Sequence, residues 1–310
     1  MTVPILLDCD PGHDDAIALL LALASPEVEL LGVTTVYGNQ MLAKTTANAI
    51  RVLELVGRGD VPVAAGAERP LARELFLGDY VHGQSGLDGP ALPPPVARPV
   101  EQHAVDFLAQ RTRRDVTLVA TGPLTNVALL LERGVRPARV VLMGGSIAEG
   151  NVTPAAEFNV YCDPEAAERV FESGLDVTMV GLDVTHRALV TDAHAGRLRA
   201  AGRVGTVVAE MLDFYRTFHR ETYGFAGSPV HDALALAHVV RPDVLETVDR
   251  HVAVETQSEL CRGRTVVDVW RRTANEPNAR VAVSVDADGF LELLFERLCS
   301  LPPGTDGAEG

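Results

Sequence analysis

An α/β fold is expected for this sequence. It would be a single domain with a mostly parallel central sheet flanked by helices, an open Rossmann-like sheet whose active site lies at the carboxyl ends of the strands. Two observations carry this expectation. Short apolar runs alternate with stretches of helical periodicity along most of the chain, and that alternation builds parallel sheets with helices on both faces. The long segments that break the rhythm are rich in Gly, Pro and Asn. Long loops inside a compact α/β domain are usually functional, and ligands of open parallel sheets bind beyond the carboxyl ends of the strands.

Val3 to Leu7 is an apolar run that ends at Asp8-Cys9-Asp10-Pro11-Gly12 and reads as a buried parallel strand. Residues 14–24 have helical periodicity, Glu29 to Val36 form a second strand, 41–56 a second helix, and Val61 to Ala65 a third strand. Strands at 116–120, 139–142 and 176–181 then alternate with helices at 124–132 and 163–173. The irregular segments are 66–99, with three prolines at 93–95, then 144–160 and 220–230. There is no internal repeat and no linker, so one domain is expected over 1–302, with 303–310 a disordered tail.

A chain of 310 residues buries enough apolar surface to need no disulfide or structural-metal staple. Its formal net charge of −15 repels phosphate backbones and anionic lipid. Neither nucleic acid nor a membrane surface is therefore an expected partner, and a neutral small molecule or a cation fits better. The four cysteines are widely spaced and form no CxxC pair, which suits reduced thiols and a cytoplasmic location. The opening MTVPILLDCD lacks a basic region and its apolar run is short, so no signal peptide is expected there.

Asp8, Asp10, Asp14 and Asp15 crowd four carboxylates into eight residues at a strand-to-helix junction. Asp8 and Asp10 share one side of the strand, and Asp14 and Asp15 fall in the first helical turn. Capping and the helix dipole account for one or two of them. They do not account for four, because carboxylates at close range repel and raise one another's pKa. A hard cation relieves that repulsion, and Ca²⁺ with its six to eight flexible oxygen ligands suits such a set. A haloacid-dehalogenase-type phosphatase also begins with DxD. That chemistry has Thr or Val two residues after the second aspartate, where this chain has Gly12.

The segment from Asp8 to Ala16, DCDPGHDDA, resembles the N-terminal signature of the inosine-uridine-preferring nucleoside hydrolase family, with Cys9 in place of the usual Thr. The side chain of Cys9 should point away from Asp8 and Asp10. Further segments resemble the family in order: Val36-Tyr37-Gly38-Asn39, Val81-His82-Gly83 with Gly86-Leu87, Ala120 to Asn126 (ATGPLTN), Met143-Gly144-Gly145, Ala156 to Asn159 (AEFN) with Asp163 to Ala167 (DPEAA), and Val230-His231-Asp232-Ala233.

This resemblance implies hydrolysis of the N-glycosidic bond of ribonucleosides to ribose and free base, with inversion at C1′. One Ca²⁺ per subunit would be held by Asp10, Asp15, Asp232 and the backbone carbonyl of Thr121. Asp10 would be the base that activates a bound water, through an oxocarbenium-like transition state. Asp14, Asn39 and Asn159 would bind the 2′- and 3′-hydroxyls, and Asn151 and Glu157 the 5′-hydroxyl. Asp8 would orient Asp10 or Asp15 from behind. His231 would protonate the leaving base, with His82 a second candidate, and Tyr223, read as part of a mobile loop, would close over the base. For each Asn taken alone a turn role is the simpler reading, and for a lone His a structural one.

In the purine-specific branch the place of His231 is typically held by Trp. The single Trp here, Trp270, is expected to be structural, so an inosine-uridine or pyrimidine preference is implied. The family also implies a homo-oligomer, dimer or tetramer. Two other classes remain: a ribose- or nucleoside-binding homologue without catalysis, and a Ca²⁺-binding structural protein. Intact Asp10, Asp15 and Asp232 argue against the first, and the Asn and Glu set against the second.

Overall fold

The computed structural model describes residues 2–302; the tail expected to be disordered, 303–310, lies outside the described residues. The chain opens with β1 (Val3–Cys9), α1 (His13–Ala24), β2 (Val28–Thr35), α2 (Leu42–Leu55) and β3 (Val63–Ala65). A long irregular stretch follows, carrying the short helix α3 (Asp79–His82). Then come α4 (Ala104–Arg111), β4 (Thr117–Ala120), α5 (Thr125–Glu132), β5 (Arg139–Met143), α6 (Phe158–Cys162), α7 (Pro164–Glu172) and β6 (Val177–Val180). Next are α8 (Leu182–Thr185), β7 (Leu189–Val190), α9 (Asp192–Ala200), α10 (Arg203–Tyr223), β8 (Ser228–Pro229) and α11 (His231–Val240). The last elements are β9 (Leu245–Arg250), β10 (Val252–Val254), β11 (Thr265–Val267), β12 (Ala279–Val285) and α12 (Ala287–Ser300).

Eight strands form the central sheet in the order β3-β2-β1-β4-β5-β6-β12-β9. The pairings are parallel except between β12 and the edge strand β9. The strand order reverses at β1, which pairs with β2 on one side and β4 on the other. A crevice opens at such a switch point, beyond the carboxyl ends of the strands, and the Asp8–Asp15 segment leaves β1 there.

Side-chain alternation along β1 feeds two separate cores. Ile5, Leu7 and Cys9 pack with α1, α2, α11 and α12, whereas Leu6 packs with α4, α5 and α7. Cys9 thus points away from Asp8, as expected; its thiol donates to the Thr34 carbonyl, and Asp8 meets Asn126 of α5. Helix α1 is buried from His13 to Ala22, wedged between sheet and helices. Each Leu it buries contributes roughly 1.5–3 kcal/mol, which anchors the first-turn carboxylates firmly.

Two expectations need correction. Residues 220–223 are not part of an irregular loop, because α10 runs on to Tyr223. The helix stops at Gly224, whose φ of +69° places it in the left-handed region while its N–H reaches the carbonyls of Arg220 and His219. Tyr223 is thus a helix-end residue rather than a loop residue. Trp270, expected to be structural, is 83% exposed. Among the described residues no helix is long and apolar enough to cross a membrane.

Candidate active site

A cavity opens at the carboxyl ends of the strands, and nearly every residue singled out in the sequence reaches it. Asp14, Asn39, His82, Thr121, Asn151, Glu157, Asn159, Tyr223, His231 and Asp232 line it. Asp8, Asp10 and Asp15 lie behind that lining, fully or almost fully buried. Among the described residues no lysine or arginine lines the cavity.

The floor is carboxylate. One oxygen each of Asp14, Asp15 and Asp232 lies within 4.8 Å of the others. The start of α1 and the start of α11 bring them together, since both helices begin at this end of the sheet. The expected ligand set had Asp10 in place of Asp14. Asp10 stands just behind the triplet, where its Oδ2 accepts the Asn39 N–H at 2.7 Å and its Oδ1 has no partner. Asp14 accepts from the Tyr215 hydroxyl through Oδ2, and its Oδ1 is likewise without a partner.

Asp15 is the best-satisfied member. It accepts from the N–H groups of Asp10 and Gly12, from the Asn39 amide, and from the Thr121 hydroxyl at 2.8 Å. Burial is the main cause that raises all of these carboxyls above their ordinary range, Asp14 to about 7 and Asp15 to about 6, with Asp10 and Asp232 pushed well up. Buried carboxylates with no neighbouring cation in the protein, and orphaned oxygens on two of them, are what a hard-cation site requires.

Gly38 explains why the backbone approaches so closely. Its φ is +155°, and a Cβ there would sit 2.0 Å from Asp10 Oδ2, so any side chain would displace Asp10. Asp8 is held behind by Thr34 Oγ1 at 2.5 Å and Asn126 Nδ2 at 2.8 Å, and burial raises it to about 7. Its backbone carbonyl accepts the Thr121 N–H, so it braces the turn that carries Thr121.

The two floor asparagines are pinned by their amide nitrogens. Asn39 Nδ2 donates to the Asp10 carbonyl and to Asp15. Asn159 Nδ2 donates to the carbonyls of Thr121 and Met143 at 2.8 and 3.1 Å. The Thr121 carbonyl expected on the cation is therefore already one partner's acceptor, with its second lone pair left. Glu157 caps α6 and accepts N–H groups from Gly145, Asn159 and Val160. Burial nonetheless lifts it to about 7. Asn151 accepts the Phe158 N–H, and its carbonyl takes the Tyr223 hydroxyl at 3.2 Å, which ties the 144–157 loop to the end of α10.

Rings make the opposite wall. His231 sits at the start of α11 with Nδ1 2.7 Å from the Thr185 hydroxyl, and His186 and His219 pack near it. Burial first, then the neighbouring imidazoles, push His231 well below its ordinary pKa. His82 ends α3 and meets His13 and Tyr215. Sequence reasoning missed Tyr215, Phe218, His219 and His186, all of which line the cavity. A signal for two of them existed: Tyr215, His219 and Tyr223 recur every four residues, so they share one face of α10.

Comparison with known proteins agrees with this geometry. The model of the inosine-uridine preferring nucleoside hydrolase family matches residues 5–292. A pyrimidine-specific ribonucleoside hydrolase, RihA, of Salmonella typhimurium is 54% identical over 307 residues, covering 96% of this chain and 99% of that protein. Among solved structures, a purine-preferring ribonucleoside hydrolase from Gardnerella vaginalis superposes with a TM-score of 0.90 at 34% identity, covering 96% of this chain and 98% of that one. A plant nucleoside hydrolase superposes equally well, with a TM-score of 0.90 and 34% identity over 97% of this chain and all of that one. The chain belongs to the inosine-uridine preferring nucleoside hydrolase family and is a nucleoside N-glycosyl hydrolase.

Proposed function

We propose that this hydrolase prefers pyrimidine ribonucleosides, and that it works with one Ca²⁺ held by Asp10, Asp15, Asp232 and the Thr121 carbonyl, with Asp14 alongside. The observation that carries the reading is the division of the cavity. Part of its lining is carboxylate and amide, suited to a polyhydroxylated sugar, and the rest is imidazole and phenol, suited to a nucleobase. The high identity to a pyrimidine-specific relative supports the base preference. When bound, the cation would acidify a water and hold ribose hydroxyls.

The chain's own residues do the rest. Asn39 pins one oxygen of Asp10 and leaves Oδ1 to receive a proton from the attacking water. With their nitrogens committed to the protein, Asn39 and Asn159 offer Oδ1 to the 2′- and 3′-hydroxyls beside Asp14. Glu157 and Asn151 take the 5′-hydroxyl. The Thr185 hydroxyl holds the Nδ1 edge of His231, so the Nε2 edge is offered to the base, with His82 and Tyr223 as further base contacts. Water attacks from the floor and the base leaves toward the wall, so the product is inverted.

The test is kcat/KM across uridine, cytidine, inosine, adenosine and guanosine, read by release of reducing sugar. Pyrimidines are expected to lead by tenfold or more. A purine leading the panel would overturn the base preference, and no sugar released from any of them would favour a binding protein. His231→Ala is expected to lower kcat/KM for uridine by about 10²-fold, the lower end for one proton-transferring group. It should spare p-nitrophenyl riboside, whose leaving group needs no proton. An equal fall for both substrates would remove His231 from the leaving-group role.

A further inference from the structure

We propose that His13 is a positioning residue for the nucleobase end of the site and acts through His82. This rests on the reading above that His82 addresses the leaving base. His13 does not line the cavity, whereas His82 does. His82 Nδ1 lies 2.9 Å from His13 Nδ1 and 3.2 Å from the His13 backbone nitrogen. The other ring nitrogen, Nε2, lies 2.8 Å from the carbonyl oxygen of Asp88. A carbonyl only accepts, so His13 donates from Nε2, its bare Nδ1 accepts the Nδ1–H of His82, and the backbone N–H only lies beside that atom. The Nδ1 edge of His82 is thereby occupied, while its Nε2 has no protein partner among the described residues and is left to the cavity.

The slot itself is aromatic. The His13 ring lies nearly parallel to the rings of His82, Phe214 and Tyr215, with centroids 5.2 to 5.5 Å away and interplanar angles of 18 to 21°. A phenyl ring would fill that space with no polar atoms to satisfy, and burying an imidazole costs free energy unless its nitrogens find partners. What His13 adds is therefore the two polar links. They join α1, which carries Asp14 and Asp15, to the turn after α3, which Asp88 closes by accepting from the N–H groups of Gln84 and Ser85. His13 thus sets the distance between the sugar floor and the base-facing imidazole.

The experiment compares uridine with p-nitrophenyl riboside in four variants. His13→Phe keeps the stack and removes both ring links. It is expected to lower kcat/KM for uridine about 10- to 100-fold, the scale of a small misplacement of a reacting group, and to change p-nitrophenyl riboside by less than about threefold. His13→Asn places an amide where Nδ1 stood and should recover most of the loss. The double variant His13→Phe with His82→Ala should be no worse on uridine than His82→Ala alone. If His13→Phe does not fold, His13→Gln, which reaches Asp88 but not His82, takes its place. Equal loss on both substrates, or a double variant clearly worse than His82→Ala, would mean that His13 only supports α1 and would overturn the proposal. If His82→Ala itself leaves the ratio of the two substrates unchanged, the role of His82 falls, and this proposal falls with it.

Discussion

Stripping the protein with a chelator is expected to abolish uridine hydrolysis, and Ca²⁺ alone is expected to restore it. The argument rests on the carboxylate floor. Asp14, Asp15 and Asp232 converge within 4.8 Å, and Asp10 and Asp14 each keep a buried oxygen without a partner. Among the described residues no lysine or arginine lines the cavity to offset them. Uncompensated buried charge is far more costly than an unmade neutral hydrogen bond, so the arrangement makes sense as half of an ion site. Full activity in a sample verified to be metal-free would overturn it. The companion variant Asp10→Asn should lower kcat by about 10²–10⁴, the range for a general base. In chelator its Tm should nonetheless exceed that of the unmodified chain, because one of several mutually repelling carboxyls is gone. A lower Tm would show instead that the hydrogen bond from Asn39 outweighs the repulsion.

Uridine is expected to be hydrolysed roughly a thousandfold better than 2′-deoxyuridine, judged by kcat/KM. Asp14, Asn39, Asn159 and the cation are all assigned to the ribose diol. A site built around a hydroxyl rejects the analogue that lacks it, since buried polar partners are left unpaired at ~1–3 kcal/mol each, more when charged. Loss of the 2′-oxygen leaves a charged and a neutral partner unpaired, about 4 kcal/mol together, and each 1.4 kcal/mol is tenfold. One effect opposes this: deoxynucleosides lose their base more readily without enzyme. The binding loss should win, because Asn39 and Asn159 are fixed by their amide nitrogens and cannot swing to new partners. A ratio within tenfold would mean that the diol is not addressed from the floor.

The strands and the acidic floor were legible because each depends on local pattern. β1 reads from five apolar residues and a Pro-Gly turn, and Asp14 and Asp15 fall in the first turn of α1 as their spacing requires. The wall was less legible. The role of His13 is not legible, since nothing in the sequence shows that the turn at 83–88 folds back onto it. Tyr223 was placed in a loop because Gly224, Gly227 and Pro229 follow it closely. The αL stop at Gly224 lets the helix reach Tyr223 intact. Which of Asp10 and Asp14 joins Asp15 and Asp232 depends on side-chain packing around Gly38 and Gly122, which no spacing rule conveys.

The position of β1 at the reversal of strand order sets the local stability of the residues assigned to the sugar. Asp10 and Asp15 follow a strand paired on both sides, and Thr121 leaves its neighbour β4. Such backbone opens to solvent exchange only on near-global unfolding. His82, Tyr223 and His219 sit instead on a four-residue helix and on the C-terminal turns of α10. On the proposed assignments, the sugar is met by residues that leave the central strands, and the base by His82, His219 and Tyr223 outside the sheet together with His231, which shares α11 with Asp232. On that assignment, substitutions that retune the base contacts on α3 and α10 are expected to leave the sugar-binding residues in place.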